Sequence, residues 1–398
     1  MSSLPAAGGM RWAAAVSRLA DSAAAAAEVV GTLAARLEPG PTDLALAFFS
    51  AHHVAAAEAI AGALRERLAP GCLAGASAHG VVASRHEIEN EPALSVIAAR
   101  LPGVTLAPFV ISNEGWDEAL ADAAAFSRMA PGVLGAELAF VLGDPFSLDL
   151  TTPFAAFERH ATGLRLVGGL ASAAPRPGSN ALFLNDWLAR EGGLAVALSG
   201  GLRADVVVSQ GCRAIGPSLT VTRSLVNVII ELDGEPALQR AEQVLRELPE
   251  DEGERLRLGL YVGLPVRDDA SGRGDYLIRP LLGADQGRGR LAVGDRVTEG
   301  QRVRLHVRDA QTAREDLELL LTPQAFDVPA QAALLFACNG RGRGLYGAPD
   351  GDIGPLQAAL GGETPVAGMF CAGEIGPVGR RNYLHGHTAS IAILRARP

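Results

Sequence analysis

The chain of 398 residues contains no lysine, so all 35 of its basic side chains other than histidine are arginines. Schiff-base chemistry needs a lysine, which excludes pyridoxal-phosphate enzymes and Schiff-base aldolases. The lysine of phosphate-binding P-loops and the strand lysine of protein kinases are missing as well. Several large enzyme classes are therefore excluded before any motif is considered.

Cysteine is scarce and widely spaced. Cys72, Cys212, Cys338 and Cys371 form no CxxC pair, which argues against a structural zinc site. Without a signal peptide, buried reduced thiols in a cytoplasmic protein are expected. The chain also lacks a long uninterrupted apolar run, so no membrane span is expected. Its net charge is -9, and the sequence shows no basic stripe of the kind that nucleic-acid binders carry.

One pattern in the chain occurs three times. Each copy has an apolar strand, a helix and a second strand that ends in small residues. The intervals are 27, 28 and 32 residues, from Phe48 to Gly75, from Phe140 to Gly168 and from Phe336 to Gly368. We expect the two strands of each copy to pair in parallel. Hairpins are expected next, at 93–101 with 104–110 and at 193–200 with 204–210, and the third copy ends on a strand at 388–394.

These patterns predict an α/β fold of two modules, with mixed β-sheets flanked by helices and built from three βαβ-plus-hairpin repeats. Residues 11–37 are rich in alanine with interspersed charges and predict one amphipathic helix. Between the second and third copies, residues 220–321 indicate a different region of alternating strands and turns. We expect an N-terminal extension and helix over 1–29, a first module over 30–215 and a second over 216–398.

Polar and ionisable residues concentrate between residues 334 and 393, interleaved with glycines and flanked by strand-like runs. Such residues at the ends of buried strands are how a fold builds a concave site for a small polar ligand. The candidate ligand-binding residues are Cys338, Asn339, Arg341, Glu374, Arg381, Asn382 and His385. Arg341 and Arg381 could each clamp a carboxylate, and Glu374 could receive an ammonium group.

Three runs carry a resemblance to a known family: CNGRG at 338–342, AGEIGPVGRRNYLHG at 372–386 and GASAHGVVASRHEIENEPALSVIAARLPGV at 75–104. With these runs the chain resembles FIST-domain proteins over nearly all of residues 30–395. The resemblance implies an N-terminal FIST module followed by a C-terminal one. It also implies a sensory role in signal transduction with a small ligand such as an amino acid. His79, Arg380 and His387 depart from the family pattern.

Two alternatives stay open beside this sensory protein. One is an enzyme for acyl or amide chemistry, with Cys338 or Cys371 as nucleophile and His385 as base. The other is a protein-interaction scaffold. His385 and His387 share a strand face and could ligate a metal, but no metal or other cofactor is expected. The expected partners are a small molecule and a signalling protein, with no nucleic acid and no membrane.

Overall fold

The structure is a computed structural model that describes residues 9–37, 40–249, 259–267 and 272–397. The chain divides into two compact units. The larger is formed by Met1–Val208, Glu318–Leu384 and Ala389–Pro398, and the smaller by Ser209–Leu317 and His385–Thr388. Residues 1–8 of the expected N-terminal extension lie outside the described residues.

The elements that make up the larger unit fall into three successive segments of the chain. The first segment comprises β1 (Arg11–Ser17), α1 (Ser22–Leu37), β2 (Leu44–Ser50), α2 (Ala57–Leu68), β3 (Cys72–Ala78), β4 (Gly80–Ala83), β5 (His86–Glu89), β6 (Leu94–Arg100) and β7 (Val104–Ile111). The second comprises α3 (Trp116–Ala121), α4 (Ala123–Met129), β8 (Leu138–Gly143), α5 (Thr151–His160), β9 (Arg165–Leu170), β10 (Leu182–Leu184), β11 (Trp187–Ala189), β12 (Gly193–Gly200) and β13 (Leu202–Gln210).

The smaller unit and the third segment follow. The smaller unit is built from β14 (Cys212–Leu225), β15 (Val228–Leu232), β16 (Glu235–Pro236), α6 (Ala237–Arg246), β17 (Leu260–Pro265), β18 (Tyr276–Asp285), β19 (Arg290–Val293), β20 (Arg302–Arg308) and most of α7 (Ala310–Leu321). The third segment comprises β21 (Ala332–Cys338), α8 (Arg343–Tyr346), α9 (Ile353–Leu360), β22 (Val366–Cys371), β23 (Glu374–Val378), β24 (Arg381–His385) and β25 (Thr388–Ala396).

The predicted fold class is confirmed, with mixed sheets flanked by helices and three βαβ repeats. In each repeat the two strands pair in parallel, β2 with β3, β8 with β9 and β21 with β22. These strands are buried along almost their whole length, and fully buried parallel strands give the near-continuous apolar runs seen in the sequence.

Each repeat contributes a hairpin to the sheet of a different repeat. The first sheet has the order β1-β6-β2-β3-β10-β11, the second β7-β12-β8-β9-β23-β24, and the third β13-β25-β21-β22-β4-β5. The hairpins β4–β5, β10–β11 and β23–β24 thus extend the third, first and second sheets respectively. This cyclic exchange joins the three repeats into one unit.

The hairpins predicted at 93–101 with 104–110 and at 193–200 with 204–210 are wrong. Strand β6 pairs with β1 and β2, so it has no free edge for β7, which pairs with β12 instead. Strand β12 is flanked by β7 and β8, and β13 lies beside β25. Each predicted strand exists, but its partner comes from elsewhere in the chain.

The single N-terminal helix predicted over residues 11–37 is confirmed over Ser22–Leu37 and wrong for its first seven residues, which form the strand β1. Alanine favours a helix when a segment is taken by itself. Here Arg11 to Ser17 pair along their whole length with β6, and the strand is mostly buried. Tertiary pairing overrides the local preference, and β1 occupies the edge that the sequence had assigned to β7.

The three sheets of the larger unit share one apolar core, and the first two sheets each carry a further apolar layer on the opposite face. One face of each sheet contributes to a shared core, in which the rings of Phe48 and Phe336 meet edge to face with centroids 5.7 Å apart. On the first sheet the opposite face packs against α1 and α2 through residues such as Leu33 and Leu64. On the second sheet it packs against α3, α4 and α5, where Phe157 contacts both Trp116 and Phe126.

The glycine that marks each repeat lies where the second strand presses against the first. A Cβ on Gly75 would stand 2.6 Å from the carbonyl oxygen of Ala47, and one on Gly368 would stand 1.8 Å from that of Leu335. A Cβ on Gly168 would be equally close to its partner strand, at 1.9 Å from the Val141 oxygen. The repeated glycine therefore serves the packing of the parallel pair.

The smaller unit is a separate antiparallel structure. Its strands have the order β14-β20-β17-β18-β19-β15-β16, and an additional pairing of β14 with β15 closes the row into a ring. Helix α6 packs on its core through Ala241 and Val244. Alternation of buried and exposed residues along β14 and β20 is typical of antiparallel strands with one face in a core.

Candidate functional site

A pocket of about 480 Å³ lies at the carboxyl ends of parallel strands in the larger unit. We call it the strand-end pocket. Ligands of α/β proteins commonly bind outside the carboxyl ends of the strands. Residues that follow five parallel strands of the three sheets contribute to it, and its lining is His79, Pro145, Phe146, Ser172, Ala173, Ala174, Pro175, Asn339 and Ala372.

Ser172 ties the three repeats together beside the pocket. Its hydroxyl donates to the carbonyl oxygen of Phe370 at 2.6 Å and accepts from the backbone N–H of His79 at 2.9 Å. Its own N–H donates to the carbonyl oxygen of Ser77 at 3.1 Å. Because these bonds reach the ends of β3 and β22, they hold the strand ends of three repeats at a set separation.

A buried carboxylate fixes the two loops on one side of the pocket. Asp144 accepts from the Asn180 side-chain amide at 3.0 Å, from the Ser147 hydroxyl at 2.7 Å and from the N–H of Phe146 at 3.1 Å. Asn180 in turn accepts from the N–H of Ala174 at 3.1 Å. The loops after β8 and β9 are therefore braced against each other, and the ring of Phe146 stays 45% exposed.

The third repeat brings two cysteines and Asn339 together. Cys338 and Cys371 lie opposite each other in the parallel pair, and the N–H of Asn339 donates to the carbonyl oxygen of Cys371 at 2.9 Å. The Cys371 side chain is fully buried. Burial is the main cause that raises the pKa of the Cys371 thiol well above its ordinary value, and the nearby Glu374 and Cys338 raise it further.

Arg341 lies inside the protein, 1% exposed, in an ion pair with Asp352. Its Nε and Nη2 donate to the Asp352 carboxylate at 2.8 and 2.6 Å, and Nη2 also donates to the Tyr346 hydroxyl at 2.7 Å. Burial lowers the pKa of Arg341, but Asp352 and Tyr346 outweigh burial and hold it above its usual value. The pair fixes the loop that begins at Asn339.

Glu87, on the hairpin β4–β5, anchors the end of the same loop. Its carboxylate accepts the backbone N–H groups of Gly351, Asp352 and Ile353 at 3.1, 2.9 and 2.8 Å, at the start of α9. Burial and the Asp352 carboxylate raise the pKa of Glu87 to about 8, against these N–H donors, which act to lower it. A residue of the first repeat thus positions a pocket loop of the third.

The structure separates the remaining predicted site residues. Glu374 is fully buried on β23. Arg381 is exposed and pairs with Glu158 at 2.6 Å. Asn382 bonds the backbone at the start of β9, donating to the carbonyl oxygen of Leu164 and accepting from the N–H of Leu166. His385 is buried and belongs to the smaller unit.

Of the seven predicted ligand-binding residues, Asn339 lines the strand-end pocket, while the sequence did not select His79, Phe146 or Ser172. The signal for Ser172 was the small-residue block that recurs after the second strand of each repeat. Within the described residues, no group of three or more His, Cys, Asp or Glu side chains is placed to hold a metal ion. Across the same residues, no helix has both the length and the apolar character to cross a membrane.

Two family models match the chain in succession. The FIST N domain matches residues 43–235, and the FIST C domain matches residues 237–377. This chain belongs to the FIST family. The resemblance carried by the sequence motifs is thereby confirmed, and FIST domains are associated with sensory and signal-transduction roles.

Two relatives of this FIST protein are similar along nearly their whole length. Uncharacterized protein Rv0628c of Mycobacterium tuberculosis is 38% identical over 390 residues, which cover 96% of this chain and 99% of the relative. Uncharacterized protein Mb0898c of Mycobacterium bovis is 38% identical over 379 residues, 94% of this chain and 96% of the relative. The similarity therefore includes both FIST domains.

Among solved structures, a cyanuric acid hydrolase is similar with a TM-score of 0.34 and 10% sequence identity. The match covers 98% of this chain and 100% of that chain. A likeness of this size says nothing about the chemistry of the FIST protein, which has to come from its own residues.

Proposed function

We propose that this FIST protein is a sensor that binds a small polar, amino-acid-like metabolite in the strand-end pocket. The observation that carries the proposal is a pair of uncommitted polar groups. The imidazole of His79 and the amide of Asn339 both line the pocket. Neither side chain makes a hydrogen bond or ion pair with any residue that the structure describes, so both are free to bind a ligand.

The lining limits the chemistry of that ligand. Among the described residues that form it there is no Asp, Glu or Arg side chain, so a ligand carboxylate would be held by the Asn339 amide and the His79 imidazole as donors. The half-exposed ring of Phe146 would cover the apolar part of the molecule. A volume of about 480 Å³ lies within the usual range for small-molecule pockets.

The surroundings of the pocket support binding without large rearrangement. Ser172, Asp144 and Asn180 hold the loops through buried hydrogen bonds, and a pocket held open in advance loses less entropy when the ligand binds. Ligand contact by the other predicted residues stays a prediction: Cys338, Arg341, Glu374, Arg381, Asn382 and His385. For Arg341 we propose an indirect role, in which its pair with Asp352 sets the position of Asn339.

The observations on the two cysteines weigh against the Cys-dependent enzyme. A nucleophilic cysteine must reach its thiolate form, which a raised pKa prevents. Cys371 is fully buried with such a raised pKa, and Cys338 is buried as well.

A panel of the common amino acids in a thermal-shift assay tests the proposal. We expect at least one to raise the melting temperature, because a ligand at about 100 times its Kd stabilises the folded state by roughly 2.7 kcal/mol. Asn339→Ala and His79→Ala should each reduce that shift. His52→Ala is the matched control, since His52 is an exposed histidine outside the pocket lining.

Two results would contradict the proposal in different ways. If no amino acid shifts the wild-type protein, the ligand class is wrong. If an amino acid shifts the wild type and both pocket variants equally, the ligand binds elsewhere and the pocket assignment is wrong.

A signalling protein as partner and a cytoplasmic location complete the proposal. The first rests on the signal-transduction association of FIST domains. The second rests on the four cysteines, all buried and unpaired by disulfides, as is usual for proteins of a reducing compartment.

A further inference from the structure

A second cavity of the larger unit, of about 600 Å³, lies along strand β1, which forms an edge of the first sheet. We call it the edge groove. Helix α1, the turn between β4 and β5, and the segment from α9 to β22 form its other walls. It shares no lining residue with the strand-end pocket.

Two arginines line the edge groove without a carboxylate partner. Arg85, exposed on the β4–β5 turn, makes no hydrogen bond or ion pair with any residue in the described part of the chain. Arg36, on α1, donates to the carbonyl oxygen of Ala14 at 2.6 Å and pairs with no carboxylate among the described residues. Two guanidinium groups in one cavity, both with donors to spare, suit an anion.

The floor of the groove is held by Gln357, which is more than nine-tenths buried. Its amide nitrogen donates to the carbonyl oxygen of Thr364 at 2.9 Å and also to that of Ser84. Ser84 has a φ of 38°, uncommon for a residue with a side chain, and its N–H donates to Val366 at 2.8 Å. The groove therefore has a rigid floor and not only mobile surface side chains.

The side-chain oxygen of Gln357 lacks a donor. This Oε1 is buried and has no hydrogen-bond partner among the described residues. Buried polar atoms are nearly always paired, and Gln357 lines the groove, so this free acceptor points to a donor that the ligand supplies. Both amide hydrogens of Gln357 already have carbonyl acceptors. Exchanging the amide nitrogen and oxygen would therefore still leave polar atoms of this side chain without a suitable partner.

The other ionisable groups of the groove, His86 and Glu363, leave it with a net positive charge, which favours an anion. His86 is already engaged with Asp350, at 3.2 Å. Glu363 is exposed and makes no ion pair within the described residues, so it offsets one of the two arginines. A positive excess remains, with one carboxylate available for an amino or hydroxyl group.

We propose that the edge groove is a binding site for a small anion, carboxylate or phosphate, that also carries a hydroxyl or amino group. Arg36 and Arg85 bind the anionic group, and the hydroxyl or amino group donates to Gln357. The site is separate from the sensory function proposed for the strand-end pocket.

Isothermal titration of the full chain with L-malate and with glycerol 3-phosphate, in low salt near neutral pH, tests the site. We expect at least one to bind, and Arg36→Gln and Arg85→Gln each to weaken it roughly tenfold or more through loss of a charge-assisted bond. Arg67→Gln is the matched control, because Arg67 is an exposed arginine of α2 outside the groove. Succinate, which lacks the hydroxyl of malate, should bind more weakly than malate.

Binding of malate alone would identify a carboxylate ligand, and binding of glycerol 3-phosphate alone a phosphate ligand. The site would be refuted if neither binds at millimolar concentration, or if the two groove variants bind as the wild type does. Binding that is lost in Asn339→Ala but kept in the groove variants would place the anion in the strand-end pocket and refute the groove. Equal binding of malate and succinate would refute the contact with Gln357.

Discussion

The two units of this FIST protein build their sheets in opposite ways. Every sheet of the larger unit is centred on a parallel pair, whereas the strand pairings among the described residues of the smaller unit are all antiparallel. A parallel pair needs a crossover, so its strands end in loops that can carry side chains over a pocket. Antiparallel neighbours can be joined by tight turns, as between β14 and β15. The strand-end pocket therefore follows from the parallel topology.

The units also place charge differently. The larger unit buries the pair Arg341–Asp352, with side chains 1% and 0% exposed. On α6 of the smaller unit, Arg246 and Glu242 pair at 73% and 47% exposure. Breaking a buried pair leaves one charge without compensation, while an exposed charge regains water.

Removal of the buried arginine should have the largest effect. We expect Arg341→Ala to lower the free energy of unfolding by about 3–5 kcal/mol, because Asp352 is left buried without its partner. Arg246→Ala should cost about 0.5 kcal/mol or less. Urea unfolding of both variants provides the measurement, and similar costs would remove the electrostatic contrast between the units.

Acid should act on the smaller unit through His306. Burial lowers the pKa of His306 from 6.5 to about 4. As pH falls from 6.5 to about 4, His306 becomes protonated in the unfolded chain but stays neutral in the folded protein. The free energy of unfolding therefore drops by about 3 kcal/mol. Stability measured across this range should fall less in His306→Phe than in the wild type. An unchanged slope in that variant would show that other groups carry the acid sensitivity.

Glu87 gives the larger unit the opposite dependence. Its pKa is raised from 4.5 to about 8, so the folded protein holds a proton that the unfolded chain has released. This contribution is fully present below pH 4.5 and is lost as pH rises to about 8. In unfolding experiments over this window, Glu87→Gln should be less sensitive to pH than the wild type. If its sensitivity matches that of the wild type, Glu87 is ionised in the folded state.

The close approach of the parallel strands predicts a smaller effect. In Gly368→Ala the new Cβ would meet the Leu335 oxygen at 1.8 Å, so β21 and β22 must shift, at about 2 kcal/mol or more. Gly283→Ala, on β18 of the smaller unit, meets nothing within 4 Å and should change stability by about 0.5 kcal/mol or less. Thermal unfolding compares the two, and a harmless Gly368→Ala would mean that the parallel pair can separate freely.

The cysteines should show no effect in either unit. Cys371 of the larger unit and Cys212 of the smaller unit are both buried, and so are Cys72 and Cys338. We expect iodoacetamide at neutral pH to label none of them rapidly in the native protein, as mass spectrometry of the peptides would show. Fast labelling of Cys338 or Cys371 that His385→Ala abolishes would restore the enzyme alternative.

The sequence by itself determined the repeated parallel pairs, the glycines and the family. Apolar runs of strand length, a helix between them and a recurring small-residue block are local features, and the three parallel pairings followed from them. The position of Asn339 at a strand end was also readable, because polar residues after a buried strand have to lie at the edge of a sheet.

Only the tertiary structure decided which strands are neighbours and which side chains meet. The alanine-rich segment Arg11–Ser17 became a strand because β6 offered it an edge, and that pairing sent β7 into the second sheet. Arg341 is buried because the carboxylate of Asp352, eleven residues along the chain, supplies an opposite charge inside the protein. Strand partners and buried ion pairs depend on groups outside the local segment. The local sequence pattern therefore cannot predict which strand edge or which charged side chain another segment supplies.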